Sequence, residues 1–230
     1  MTANILARYA ERAVRLCVFD LDHTLVRSSL DLVAMAVDMR VFVERSLGPL
    51  PARAERYRVF ELIDHCRQAA PGLEAPLWAI ALDHERRALA DAHLEPGALE
   101  AVTGARRAGF HTAVWTNNAR EITGDVLERF DMLPHFDLVV TRDEMRALKP
   151  DPDGWRVIMA HFGTGIADAV VVGDSWVDGL AAAAVGVPFV AYRARTEDLE
   201  RWKLEPRARL DDLSALPAWL AGSVRDPAGR

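Results

Sequence analysis

Cysteine is scarce in this chain: Cys17 and Cys66 are the only two among 230 residues, far apart and in no C-x-x-C spacing. That excludes a disulfide framework, leaves no thiolate pair for a zinc site, and fits a reducing compartment. The seven histidines fall in no H-x-x-x-H spacing, so no histidine metal centre is indicated. Long hydrophobic runs are missing too: none approaches the roughly 18 apolar residues of a membrane span. Residues 1–15 carry Arg8, Glu11, Arg12 and Arg15 rather than an apolar stretch, so no secretory signal and a cytoplasmic location are expected. Positive charge is not in excess. Lys and Arg number 28 against 34 Asp and Glu, a formal charge of −6, which argues against non-specific nucleic-acid binding. An anionic small molecule remains an admissible partner, because a local cluster or a metal can outweigh net charge. There is no internal repeat and no low-complexity stretch.

What is present is ordinary for a globular protein. Half the residues are hydrophobic, and the length suffices for one domain plus a sizeable insertion. Five short β-rich apolar runs stand out: Val14–Phe19, His111–Trp115, Leu138–Thr141, Ala169–Val172 and Val187–Tyr192. Their lack of polar alternation is the pattern of strands buried on both faces of a parallel sheet. Helix-like segments lie between the later strands: Pro96–Ala108, Ala119–Phe130, Pro152–His161 and Trp176–Val185. Gly109, Gly163 and Gly186 fall where helix C-terminal glycines do. The expectation is an α/β fold with a Rossmann-like parallel-sheet core and ligands at the carboxyl ends of the strands.

The spacing breaks once. About 90 residues separate the first two strands, where a crossover needs only a dozen or more. Most of that interval reads as helix. Leu30, Val33, Ala34, Val37 and Val41 define one apolar stripe, and residues 52–69 and 74–93 are expected helices. Residues 26–94 are therefore expected to form an inserted helical cap domain, with 1–25 and 95–230 as the core. A cap beside the first strand could exclude water and choose the substrate. The tail after Pro217 is expected to fray.

The chemistry-bearing residues sit at the strand ends. Asp20-Leu21-Asp22-His23-Thr24 follows the first strand. Two carboxylates two residues apart share one pocket if the chain stays extended or turns locally. Their charge costs free energy unless a metal, a cation or hydrogen bonds compensate it. Asp20 is the candidate nucleophile and metal ligand, and Asp22 the candidate general acid and then base. A hard divalent cation such as Mg²⁺ would relieve the repulsion between carboxylate and phosphate. Thr116-Asn117-Asn118 opens a helix after the second strand, where a hydroxyl and free N–H groups suit an anion; read alone, helix capping explains it better. Lys149, in Lys-Pro-Asp-Pro, offers a cation for phosphoryl oxygens, or is a solvated lysine. Asp174 and Asp178, in Gly173-Asp174-Ser175-Trp176-Val177-Asp178, suit a metal: Asp174 as direct ligand, Asp178 as ligand or orienter. Jointly the four segments supply a phosphoryl-transfer site without duplication. His23 reads as a packing or hydrogen-bonding residue, Trp78 and Trp155 as packing residues, and Arg27 as a weak candidate for a substrate anion.

With Asp-x-Asp-x-Thr at 20–24, Thr-Asn at 116–117, Lys-Pro at 149–150 and Gly-Asp-x-x-x-Asp at 173–178, the sequence resembles the haloacid dehalogenase superfamily, in its phosphoglycolate phosphatase-like branch. The resemblance implies Mg²⁺ held by Asp20, the backbone carbonyl of Asp22 and Asp174, and phosphate held by Thr116 and Lys149. It departs from the pattern at His23, where many relatives have Gly, and at Arg27, where the branch often has Asp. The implied activity is hydrolysis of a small phosphorylated metabolite through an aspartyl-phosphate. The alternatives are a sugar-phosphate mutase and a catalytically idle binding protein on the same fold. A 2-haloacid dehalogenase would have no use for Asp22 or Mg²⁺.

Overall fold

The structure, a computed structural model, describes residues 14–163 and 166–223. Six parallel strands form one sheet: β1 (Val14–Phe19), β4 (His111–Trp115), β5 (Leu138–Val140), β6 (Ile166–Gly173), β7 (Phe189–Tyr192) and β8 (Ala208–Leu210). Their spatial order is β5-β4-β1-β6-β7-β8. The chain winds outward from β1 through β4 to β5, then returns to the other side of β1 with β6. The order thus reverses at β1, and the crevice for a ligand lies above its carboxyl end.

Alternation along the central strands sorts their side chains to two faces. Cys17, Phe19, Val114 and Val172 pack with Ala101, Val102, Leu127 and Leu216. These come from α4 (Ala98–Arg107), α5 (Arg120–Arg129) and α9 (Leu216–Ser223). Leu16, Val18, Ala113, Trp115 and Val171 pack on the other face with Ile158, Ala181 and Leu199. These belong to α6 (Asp153–Phe162), α7 (Trp176–Ala184) and α8 (Thr196–Arg201). Coverage of both faces is the physical reason the strand sequences lack polar alternation.

Between β1 and β4 lie three helices with a hydrophobic cluster of their own: α1 (Leu32–Leu47), α2 (Val59–Ala69) and α3 (Glu74–Ala88). Asp31 caps α1 by accepting from the N–H groups of Val33 and Ala34. Its buried face is Met35, Ala36, Met39 and Val43, whereas Val33, Val37 and Val41 of the expected stripe are exposed. Apolar residues occupy most of the circumference of α1, so periodicity alone does not choose the inner face. The helix expected over 52–69 begins only at Val59. Upstream, the Arg53 guanidinium donates to the carbonyls of Glu55 and Arg56 and to Glu61, holding 53–58 in a non-helical loop.

The two ends of this helical segment meet in an antiparallel ribbon of β2 (Val26–Arg27) and β3 (His93–Leu94). Next to it, buried Glu95 accepts from Arg27 at 2.6 Å, the Tyr192 hydroxyl at 2.8 Å and Arg193 at 3.4 Å. Arg27 is thus committed to Glu95, which corrects its reading as a contact for a substrate anion. The chain after Pro217 does not fray at once: α9 runs to Ser223, with Leu216 and Leu220 buried. Residues 224–230 lie outside the described residues. Among the described residues no helix is long and apolar enough to cross a membrane.

Candidate active site

Beyond Phe19 the chain keeps one more bond to the sheet, from the Asp20 N–H to the Val172 carbonyl at 2.9 Å. It then turns. The Leu21 carbonyl accepts from the N–H groups of Leu25 (2.8 Å) and Val26 (2.9 Å), and His23 takes a left-handed φ of 57°. That conformation favours glycine, and here histidine adopts it. The turn leaves Asp20, Asp22 and His23 on the wall of one cavity of about 330 Å³. The same cavity is lined by Thr116, Asn117, Lys149, Asp174 and Asp178. The structure therefore brings the candidate catalytic, phosphate-binding and metal residues of the four segments to one place, and leaves Arg27 outside it.

Lys149 is the hub. Its buried Nζ donates to Asp20 Oδ1 at 2.6 Å and to Asp178 Oδ1 at 2.5 Å. Asn117 fixes the lysine backbone: its side-chain Nδ2 donates to the Lys149 carbonyl at 3.0 Å, and its Oδ1 accepts from the Lys149 N–H at 2.9 Å. The Asn117 side chain is thus spent on the loop, leaving only its backbone N–H for an anion. Thr116 Oγ1 accepts from the Asn118 N–H at 3.2 Å and donates to no described residue. Asp178 Oδ2 accepts from the Ser175 hydroxyl at 2.8 Å, so that carboxylate is held by protein groups on both oxygens. Gly173 makes room for it: a Cβ there would lie 2.5 Å from the carboxylate carbon.

Two further residues carry no sequence signal of this kind. Asn118 Nδ2 donates to Asp22 Oδ2 at 2.6 Å and so aims that carboxylate. Glu85, on α3, forms a buried ion pair with Arg142 and accepts from the Ala119 N–H at 3.3 Å. Asn118 reads in sequence as a helix cap, and Glu85 lies in the charged run Asp83-His84-Glu85-Arg86-Arg87, which reads as a solvated face. Trp78 is not only a packing residue: it lines the cavity, with the Arg142 guanidinium 4.7 Å from its ring centre.

The electrostatics are unbalanced. Burial pushes the Asp20 carboxyl up to about 7, against the pull of Lys149. Burial also raises Asp22, and raises Asp174 well above the carboxylate range with the help of Asp178 and Asp20. Burial alone would lower Lys149, but Asp178 and Asp20 outweigh it and hold the lysine charged. The set fits a hard divalent cation. Oxygens of Asp20, Asp174 and Asp178 lie within 4.8 Å of one another, and Asp174 has no hydrogen-bond donor among the described residues. An all-oxygen set with excess negative charge suits a hard divalent cation rather than a softer metal.

The comparisons with known proteins agree. Phosphoglycolate phosphatase 1 of Pseudomonas aeruginosa is 33% identical over 194 residues, covering 78% of this chain and 69% of its own. A plasmid-borne phosphoglycolate phosphatase of Cupriavidus necator is 29% identical over 223 residues, covering 92% and 95%. In fold, the chain is similar to a predicted phosphoglycolate phosphatase from Haemophilus somnus, with a TM-score of 0.62 at 20% identity over 91% of this chain and 99% of that one. The family model described as haloacid dehalogenase-like hydrolase matches residues 17–192, which include the strand ends that carry this site, and the chain belongs to that family.

Proposed function

We propose that this protein is a Mg²⁺-dependent phosphomonoester hydrolase that works through an aspartyl-phosphate on Asp20. The observation that carries the reading is Lys149 buried between Asp20 and Asp178, with Asp22 and Asp174 on the same cavity. The relatives named as phosphoglycolate phosphatases support the reaction class. When bound, Mg²⁺ held by Asp20, the Asp22 carbonyl and Asp174 supplies the charge that offsets repulsion between nucleophile and phosphate. That repulsion is about 4 kcal/mol for unit charges ~4 Å apart at an effective dielectric of ~20.

The residues then divide the work. Lys149, Thr116 and the backbone N–H of Asn117 hold the phosphoryl oxygens. An Asp20 oxygen attacks phosphorus, and the bond from phosphorus to the ester oxygen breaks. Asp22, aimed by Asn118, gives its proton to the departing alkoxide, so an alcohol leaves. Asp22 next takes a proton from water as the water oxygen attacks phosphorus. The bond to Asp20 breaks, releasing phosphate and restoring both groups. Asp178 positions Lys149 and stays outside the chemistry. We assign residues 26–94 as a cap that closes over a small phosphorylated metabolite in the cytoplasm, on a core formed by 1–25 and 95–230.

The test is phosphate release from a panel of small phosphomonoesters, with Mg²⁺ and with EDTA. Release that needs Mg²⁺ and falls at least about 10⁴-fold in Asp20→Asn supports the reading. Turnover retained by Asp20→Asn, purified free of host phosphatase, sinks the nucleophile assignment. Bisphosphate-activated isomerisation without phosphate release would make the protein a mutase.

A further inference from the structure

The cavity is chemically divided. One end holds the charged residues that account for a phosphoryl group. The apolar part of the lining includes Leu32, Val33, Tyr57, Phe60 and Trp78 from the cap and Trp176 from the core. Leu32 is 57% exposed and Val33 39%, both on the first turn of α1 and both facing this space. Single exposed apolar side chains are ordinary, but Leu32 and Val33 share one concavity with half-buried Phe60 and Trp78, which makes a contiguous apolar surface. At about 330 Å³ the cavity is within the range that buries most of an organic ligand larger than a two-carbon acid.

The same wall offers little to a second negative charge. Arg142 is ion-paired with Glu85. Lys149 is held by Asp20 and Asp178. The Arg58 guanidinium lies over the rings of Trp176 (4.6 Å) and Trp202 (5.6 Å), with Glu55 at 3.9 Å. Arg56 is exposed at the rim. His23 is next to Asp22 in the chain and belongs to the phosphoryl end. A carboxylate directed at the apolar side chains would lose its hydration without replacement, and the one guanidinium lining the cavity without an ion pair among the described residues, Arg56, is exposed to water.

We propose that the natural substrates are phosphomonoesters of apolar alcohols larger than glycolate, with the cap-side wall of the cavity receiving the alcohol. This rests on the phosphatase reading and narrows it. The specificity residues are Leu32, Val33, Phe60 and Trp78, which touch the leaving group and not the reacting phosphorus. Each methylene moved from water into that wall raises kcat/KM about fourfold until the space is full.

The experiment compares ethyl, butyl, hexyl and 2-phenylethyl phosphate with phosphoglycolate in Mg²⁺. All have unactivated alkyl leaving groups, so intrinsic reactivity varies little across the series. The expected result is a rise in kcat/KM with chain length and a preference for 2-phenylethyl phosphate over phosphoglycolate of at least about tenfold. Val33→Asp, at an exposed position that tolerates a charge, is expected to flatten the chain-length slope. Equal or faster turnover of phosphoglycolate, or a flat series in the wild type, overturns the proposal while leaving the phosphatase standing. Absence of phosphate release from every ester overturns the phosphatase reading and this one with it.

Discussion

Two buried charge clusters lie in this protein, and they are built in opposite ways. At the strand ends Asp20, Asp22, Asp174 and Asp178 share a single ammonium, Lys149. Beside the β2–β3 ribbon one carboxylate, Glu95, receives Arg27, Arg193 and the Tyr192 hydroxyl. The ribbon cluster is satisfied by protein groups alone, and burial together with Glu95 pushes the Tyr192 hydroxyl up to about 12, so it keeps its proton. The strand-end cluster is left with negative charge that no side chain neutralises. Burial is common to both. Imbalance is what separates a reacting site from a structural one, because an uncompensated buried charge persists only where something outside the chain supplies the counter-charge.

Removing the shared cation gives the sharpest contrast. Lys149→Met keeps the bulk of the side chain and deletes its charge. Turnover in saturating Mg²⁺ is expected to fall roughly 10²–10³-fold, the cost of losing one preorganised stabilising group. If kcat holds within about threefold while the melting temperature collapses, Lys149 is scaffold, and the two clusters do not differ in kind.

A third pair tests the comparison from between the two. Glu85 and Arg142 match one to one, yet burial outweighs the arginine and pushes the Glu85 carboxyl from 4.5 up to about 7. A carboxyl raised on folding binds its proton more tightly in the native state. Its stabilisation is therefore complete below about pH 4.5 and is lost as pH rises through about 7. Relative to Glu85→Gln, wild-type stability should fall by on the order of 3 kcal/mol between pH 4.5 and pH 8, read from urea melts of both proteins. A difference that does not move with pH would mean that Arg142 fully offsets burial, and the pair would join the balanced class.

The same contrast governs how much could be read from sequence. The central strands were legible because coverage on both faces forces continuous apolar runs such as Leu16–Phe19. Two of their ends were legible because Asp20 and Asp174 follow those runs with charge that a buried strand end does not otherwise tolerate, whereas Lys149, in a loop after β5, was legible only together with them. Groups whose charge is matched left no such mark. Glu95 carries no motif, Arg27 read as a weak candidate for a substrate anion rather than as its partner, and Glu85 sits beside Asp83, Arg86 and Arg87 on a helix. β8 escaped notice because three residues, half-exposed at the sheet edge, are too few for a period to show. The Arg53 loop escaped because a guanidinium reaching backbone carbonyls is a tertiary choice, not a propensity. The inner face of α1 was misread because Val33, Val37 and Val41 form as regular a stripe as Met35, Met39 and Val43.

The ribbon cluster should respond least, and in the opposite channel. Glu95→Gln keeps an acceptor for Tyr192 and Arg27 but removes the charge that both arginines face. Arg27 and Arg193 are each nearly half exposed, so water screens most of their pairing, and the buried hydroxyl carries the larger part. The expected loss is about 1–2 kcal/mol in urea denaturation, with kcat at saturating substrate within about threefold of wild type. If kcat drops tenfold or more with stability intact, Glu95 is setting how the helical segment between β1 and β4 sits over the strand ends. A satisfied cluster would then carry function through geometry, and charge imbalance would be a sufficient mark of a reacting site but not a necessary one.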